Sequence, residues 1–251
     1  GICYIELEDL ARAREHLRQV AVTGEDAMEQ REAVSKVAAL AYQAGDFDEA
    51  IVFYTLALTT AEAEEAPRLH FLLGESHQAK GEVERAITYW QEALKGGPDL
   101  PFYSVALDRL GRAYVAKRDW QAAISVLRRL WDEFPDFPER LSVAQGLAQT
   151  YSQSNACETA LPFYEFLSTS APGRTALHSL RHHHAACLFA TARYEAVVTL
   201  LTPLFAPGQT DPIDPSLLYT LGQAHMELQQ FEAAITPFTR LQTEFPTHPL
   251  R

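Results

Sequence analysis

The chain of 251 residues carries 21 Lys and Arg against 33 Asp and Glu, a formal charge of -12, with 47% hydrophobic and 22% charged residues. This is ordinary globular composition with enough apolar material for a substantial core, which excludes disorder and fibrous architecture. The negative charge has the wrong sign for non-specific attraction to DNA or RNA, and no run approaches the roughly 18 apolar residues of a membrane span. Neither nucleic acid nor direct membrane insertion is therefore expected.

Along the chain one spacing returns. Small residues stand at Gly1, Ala38, Gly74, Gly111, Ala148, Ala185 and Gly222, separated by 37, 36, 37, 37, 37 and 37 positions. Twelve positions past each anchor comes a compact residue: Ala13, Ala50, Ala86, Ala123, Ala160, Val197 and Ala234. Sixteen past it comes a large one: Leu17, Tyr54, Trp90, Leu127, Tyr164, Leu201 and Phe238. Four repeats add a proline 24 past the anchor, at Pro98, Pro135, Pro172 and Pro246.

Each repeat reads as two helices, because apolar residues recur at three- and four-residue steps, as in Leu107, Leu110, Gly111 and Tyr114, then Ala123, Ile124, Leu127 and Leu130. Short polar breaks separate the helices at Ala44-Gly45-Asp46, Lys80-Gly81-Glu82, Lys117-Arg118-Asp119 and Ser154-Asn155-Ala156, where Gly or Asn can take the left-handed conformation that closes a helix. Bulky Phe47, Trp120, Tyr194 and Phe231 then open second helices. A small anchor leaves room for the large side chain of an antiparallel partner, and the terminal proline stops the second helix. Within the last three second helices stand Pro162, Pro203 and Pro237. A proline there removes a backbone bond and costs about 3 kcal/mol, so kinked or shortened helices are expected.

The small anchor, an aromatic residue three later (Tyr4, Tyr114, Tyr151), the alanine, the large residue and the closing proline resemble the tetratricopeptide signature over nearly the whole chain. The period is longer than the family's usual one of about 34 residues, which places the additional residues in the turns between repeats. The resemblance implies an all-α, right-handed α-solenoid of antiparallel helix pairs. It implies one repeat domain over 1–251, with a partial repeat at 1–30 and full repeats at about 31–66, 67–103, 104–140, 141–177, 178–214 and 215–251. The turns Phe134-Pro135-Asp136-Phe137-Pro138 and Phe245-Pro246-Thr247-His248-Pro249 resemble those of bacterial cell-envelope members. The chain opens inside a first helix and closes after a second one without a polar cap, which reads as a piece of a longer protein; dimeric stacking of the ends is the alternative. An N-terminus of that kind leaves the compartment open, cytoplasmic or bacterial periplasmic.

In the resembled family the first helices line a concave groove that holds a partner. The equivalent positions here place Phe71, Glu75, Asp108, Arg112, Gln145, Gln149, His182, Tyr219 and Gln223 on that face, beside Ser35, Ala39 and Tyr42. Some members hold a terminal carboxylate in a clamp of Lys, Asn and Arg. The places for it here hold Ser35, Ala39, Phe71, Glu75, Asp108 and Arg112, and one Arg beside two acids does not suit it. Aromatic anchors flanked by amides suit an extended or helical peptide.

Other chemistry has little support. There is no phosphate-binding loop, nucleophile elbow or zinc-hydrolase helix, and acid pairs such as Glu64-Glu65 read as solvated helix surface. His178 and His182 are spaced as a metal-binding pair is, but His184 aligns with Leu73, Leu110, Leu147 and Leu221 and reads as core, as do His70, His77 and His225. No metal and no cofactor are expected. Three scattered cysteines, Cys3, Cys157 and Cys187, read as free thiols. The expectation is a non-catalytic scaffold for a protein or peptide partner. Two alternatives stand beside it: a self-assembling module, homo-oligomeric through its terminal repeats, and the repeat part of a larger enzyme or of an envelope or secretion protein.

Overall fold

A computed structural model describes residues 10–170, 176–206 and 214–250. Gly1, Cys3, Tyr4, Pro172, Arg251 and the side chain of His178 lie outside the described residues. The described chain is all-α and without strand. It falls into two units, residues 1–117 and 118–251. The first holds α1 (Leu10–Thr23), α2 (Ala27–Gln43), α3 (Phe47–Thr60), α4 (Ala66–Ala79), α5 (Val83–Leu94) and α6 (Tyr103–Lys117). The second holds α7 (Trp120–Glu133), α8 (Arg140–Gln153), α9 (Cys157–Ser170), α10 (Ala176–Ala190), α11 (Tyr194–Leu201), α12 (Pro215–Glu227) and α13 (Phe231–Glu244). Within each unit consecutive helices pack on one another, and in the second the first helix α10 also touches the first helices on either side of it, α8 and α12.

The anchors do what their size predicts. A Cβ on Gly74 would stand 2.5 Å from the Trp90 ring, and one on Gly222 would stand 2.6 Å from the Phe238 ring. Trp90 is 1% exposed. At the Ala148 anchor, the Tyr164 hydroxyl donates to the Ala148 carbonyl at 3.3 Å. Compact residues twelve positions on, such as Ala50, Ala86, Ala123 and Ala160, are fully buried.

Each break between the paired helices adopts one geometry. The residue seven past the anchor has positive φ at Gly45, Gly81, Arg118, Asn155, Ala192 and Gln229. In the first of these turns Gly45 N donates to the Tyr42 carbonyl at 3.0 Å and Asp46 N to that of Ala41 at 2.9 Å. The same pair of bonds recurs at Gly81, Asn155, Ala192 and Gln229, satisfying carbonyls that the helix end leaves open. Asp46 and Asp119 then cap the second helices by accepting from Glu49 N and Ala122 N.

One expectation is corrected and a second is met at one of its three places. Cys157 and Cys187 are not free thiols: they form a disulfide with Cα atoms 4.8 Å apart. Cys157 opens α9 and Cys187 sits in α10, helices that pack together, so the repeat register joins residues 30 apart in sequence. The prolines also differ among themselves. At Pro203 the helix is shortened, α11 ending after 8 residues and a 3-10 turn following over Thr202–Phe205. In contrast, α9 and α13 each run 14 residues through Pro162 and Pro237. Burial of Leu161, Phe163, Tyr164 and Leu167 in α9, and of Ala234 and Leu241 in α13, holds each helix together on both sides of its lost bond.

Gly74→Ala gains helix propensity but drives a methyl group into a sealed indole. Overpacking of this kind costs about 1–3 kcal/mol, so a net loss of stability in urea unfolding is expected, and an unchanged midpoint would show that Trp90 yields freely. Reducing the Cys157–Cys187 bond, or replacing Cys187 with Ala, is expected to remove roughly 3–4 kcal/mol, read as the difference in unfolding with and without reductant.

Candidate functional site

The first-helix face of the N-terminal unit is built on α2, α4 and α6. Phe71 stacks on Phe102 with ring centroids 5.1 Å apart. Glu75 accepts from Arg109 Nε at 3.3 Å. Asp108 is 3% exposed; its carboxylate takes Arg112 Nε at 2.8 Å and Arg109 Nη1 at 3.5 Å. An unpaired carboxylate at that depth would be costly to ionise, and the two guanidiniums neutralise it. Glu75, Asp108 and Arg112, expected as partner contacts, are thus engaged with the fold. Burial, and then the Glu75 charge, pushes the neighbouring Tyr42 phenol up. Between α2, α3 and α4 opens a cavity of about 260 Å³ lined in part by Ser35, Ala39 and the buried Tyr54.

In the C-terminal unit the same face is built on α8, α10 and α12. Gln145 and Gln149 lie one turn apart on α8, both half-buried. His182 is exposed on α10, its Nδ1 3.0 Å from Ser216 Oγ and 3.8 Å from Asp214 Oδ2. Asp214 caps α12 by accepting from Ser216 N at 2.9 Å. Tyr219 accepts from Gln223 Nε2 at 3.0 Å and meets the Phe238 ring edge-on at 6.1 Å. The structure therefore brings Tyr219 together with Gln223, and ties His182 to the start of the next first helix.

Three further histidines, His184, His77 and His225, are structural. His184 stacks on Tyr164 with centroids 4.7 Å apart, and burial pulls its pKa down to about 4. Burial likewise pushes the Tyr164 phenol up to about 12, although its bond with Ser152 opposes this. His77 is 3% exposed. Its Nδ1 meets Glu82 Oε2 at 2.8 Å, and bonds from Lys80 and His77 hold Glu82 at about 2. His225 repeats the arrangement with Gln230 Oε1 at 2.8 Å. A brace between positions three and eight past the anchor was not anticipated; the signal for it is the common register of the pairs His77 with Glu82 and His225 with Gln230. Among the described residues no group of three or more His, Cys, Asp and Glu is placed to hold a metal ion. No described helix is long and apolar enough to cross a membrane.

The sign of the His184 effect is fixed by its depressed pKa. The unfolded chain binds a proton near the ordinary value of 6.5, whereas the folded chain resists it down to about 4. Stability contributed by the neutral ring is present above pH 6.5 and is lost as pH falls through that window. His184→Leu, the residue at the equivalent place of four other repeats, is expected to flatten the dependence of the urea midpoint on pH between 6.5 and 4. Parallel pH profiles of the two proteins would show that His184 is not the sensor.

Two family models, both described as Tetratricopeptide repeat, match the sequence, one over residues 38–101 and the other over 105–136 and 216–248. The BBSome complex member BBS4 of Bos taurus is 22% identical over 165 residues, which are 66% of this chain and 30% of that protein's length. A tetratricopeptide repeat protein of Parabacteroides merdae aligns over 96% of this chain and 89% of its own at 15% identity, with a TM-score of 0.56. YrrB, described as having an unusual peptide-binding site, aligns over 78% of this chain and 94% of its own at 17% identity, with a TM-score of 0.62. The PilF protein of Pseudomonas aeruginosa aligns over 88% and 94% at 18% identity, with a TM-score of 0.52. At these identities the structural likenesses describe fold.

Proposed function

The chain belongs to the tetratricopeptide repeat family, and from that premise we propose that it is a non-catalytic scaffold holding a peptide or an extended protein segment against its first helices. Tetratricopeptide repeats mark a protein-interaction scaffold; the choice of face is the proposal. The observation that carries it is the character of the α8 and α12 surface, where Gln145, Gln149 and the Tyr219–Gln223 pair offer amides and one aromatic edge, all half-buried. Half-buried amides suit a peptide backbone, which needs donors and acceptors in alternation, and a rigid aromatic ring supplies contact area at low entropic cost. In the N-terminal unit the stacked Phe71 and Phe102 provide the corresponding apolar contact, because the acids near them are already neutralised. The described peptide-binding site of YrrB supports a role of this kind.

A second reading is favoured by α13, where Phe231 and Ile235, one turn apart, are 56% and 63% exposed. An apolar pair on an outer helix suits stacking of one copy on another. Concentration-dependent mass in sedimentation, abolished by Phe231→Glu, would support it.

The scaffold reading is tested by affinity capture from the native host, with the intact chain beside a Phe71→Ala, Gln149→Ala and Tyr219→Ala variant whose unfolding midpoint is checked first. A partner held by the former and lost or weakened at least tenfold in the latter is expected. Equal retention would move recognition to another face.

A further inference from the structure

The cationic side chains of the N-terminal unit are nearly all spoken for. Arg14 and Arg18 meet Glu49, Lys80 meets Asp48 and Glu82, and Arg109 and Arg112 meet Asp108, among other pairs. Arg31 and Arg68 differ: neither makes an ion pair or a side-chain hydrogen bond among the described residues, and both line the cavity between α2, α3 and α4. Arg31 lies seven before the anchor Ala38 and Arg68 six before Gly74, so both stand near the N-terminal ends of α2 and α4. One acid, Glu65, also lines the cavity, leaving a local excess of positive charge in a chain of formal charge -12.

A second observation points inward. Tyr54 is 3% exposed and lines the same cavity, yet its hydroxyl has no hydrogen-bond partner among the described residues. Burial pushes this phenol up, so it stays protonated and able to donate. Leu69 and Leu72 supply an apolar wall. A volume of about 260 Å³ lies below the roughly 300–1,000 Å³ of small-molecule sites, and suits one side chain with its neighbour.

We propose that this cavity seats an aspartate or glutamate side chain of a partner peptide, its carboxylate between Arg31 and Arg68 and within reach of the Tyr54 hydroxyl, with an adjacent apolar side chain against Leu69 and Leu72. Two guanidinium forks match a carboxylate in geometry as well as charge. The inference rests on the scaffold reading and gives that reading a ligand chemistry.

The test is panning of a random 12-residue phage library on the intact chain and on an Arg31→Ala, Arg68→Ala variant, followed by anisotropy with the selected peptide made acetylated and amidated. Both arginines are exposed, so the variant is expected to unfold at the same urea concentration as the parent. Selection on the intact chain is expected to enrich Asp or Glu beside an apolar residue. Replacing that acid by its amide, or using the double variant, is expected to weaken binding at least tenfold, with Lys at both positions restoring part of it. Selection without acidic enrichment, equal affinity for acid and amide peptides, or binding that needs a free C-terminal carboxylate would overturn the proposal. A selected peptide that tolerates loss of both arginines but not the Phe71, Gln149 and Tyr219 substitutions would sink this pocket and leave the scaffold reading standing.

Discussion

The distance between paired helices is set by what stands at the anchor. Where Gly74 or Gly222 meets an aromatic ring, a single methyl group would overlap ring atoms, so ring and backbone are in direct van der Waals contact. That contact seals Trp90 and fixes how far each second helix can stand from its first. Everything outward of it depends on the spacing: the fully buried Ala86 and Ala160, the turn hydrogen bonds, and the line of first helices that the next hairpin must fit. A repeat stack gains its stability from such neighbour contacts because no hairpin buries its apolar face alone.

Electrostatics follow the same geometry. Lys80 with Asp48, Lys117 with Glu84 and Arg193 with Glu158 join the turn region of one repeat to the second helix of the one before. Exposed pairs of this sort contribute little to stability, about 0–1 kcal/mol each, but they consume cations that an acidic protein has in short supply. The Asp108 cluster does the same on the first-helix face. On the first helices of the C-terminal unit, Gln145, Gln149, Tyr219 and Gln223 leave a half-buried surface that is amide and aromatic.

Much of this was legible in sequence, because steric rules repeat with the period. The facing of Gly74 with Trp90 and of Gly222 with Phe238 follows from spacing alone, and so does the interior place of His184, which stands where other repeats carry leucine. What was illegible depends on neighbours in space. The cysteine count says nothing of which helices adjoin, so the bond from Cys157 to Cys187 could not be seen. Asp108 stands at a groove position by register, yet Arg112, four residues on, and Arg109 draw it into the fold. Pro162 and Pro237 do not shorten their helices as Pro203 does, and the residues that flank them are buried on both sides.

The six left-handed turns share a backbone but not a residue type: glycine occupies two, Asn155 a third, and Arg118, Ala192 and Gln229 the others. A side chain with a Cβ pays roughly 1–2 kcal/mol for that conformation, and it does so as soon as the turn forms, before any neighbouring repeat has docked to offset it. Hairpins closed by Gly45 and Gly81 therefore form at lower initial cost than those closed by Ala192 and Gln229. The later hairpins therefore depend more on the contacts of their neighbours to offset the cost of their own turns.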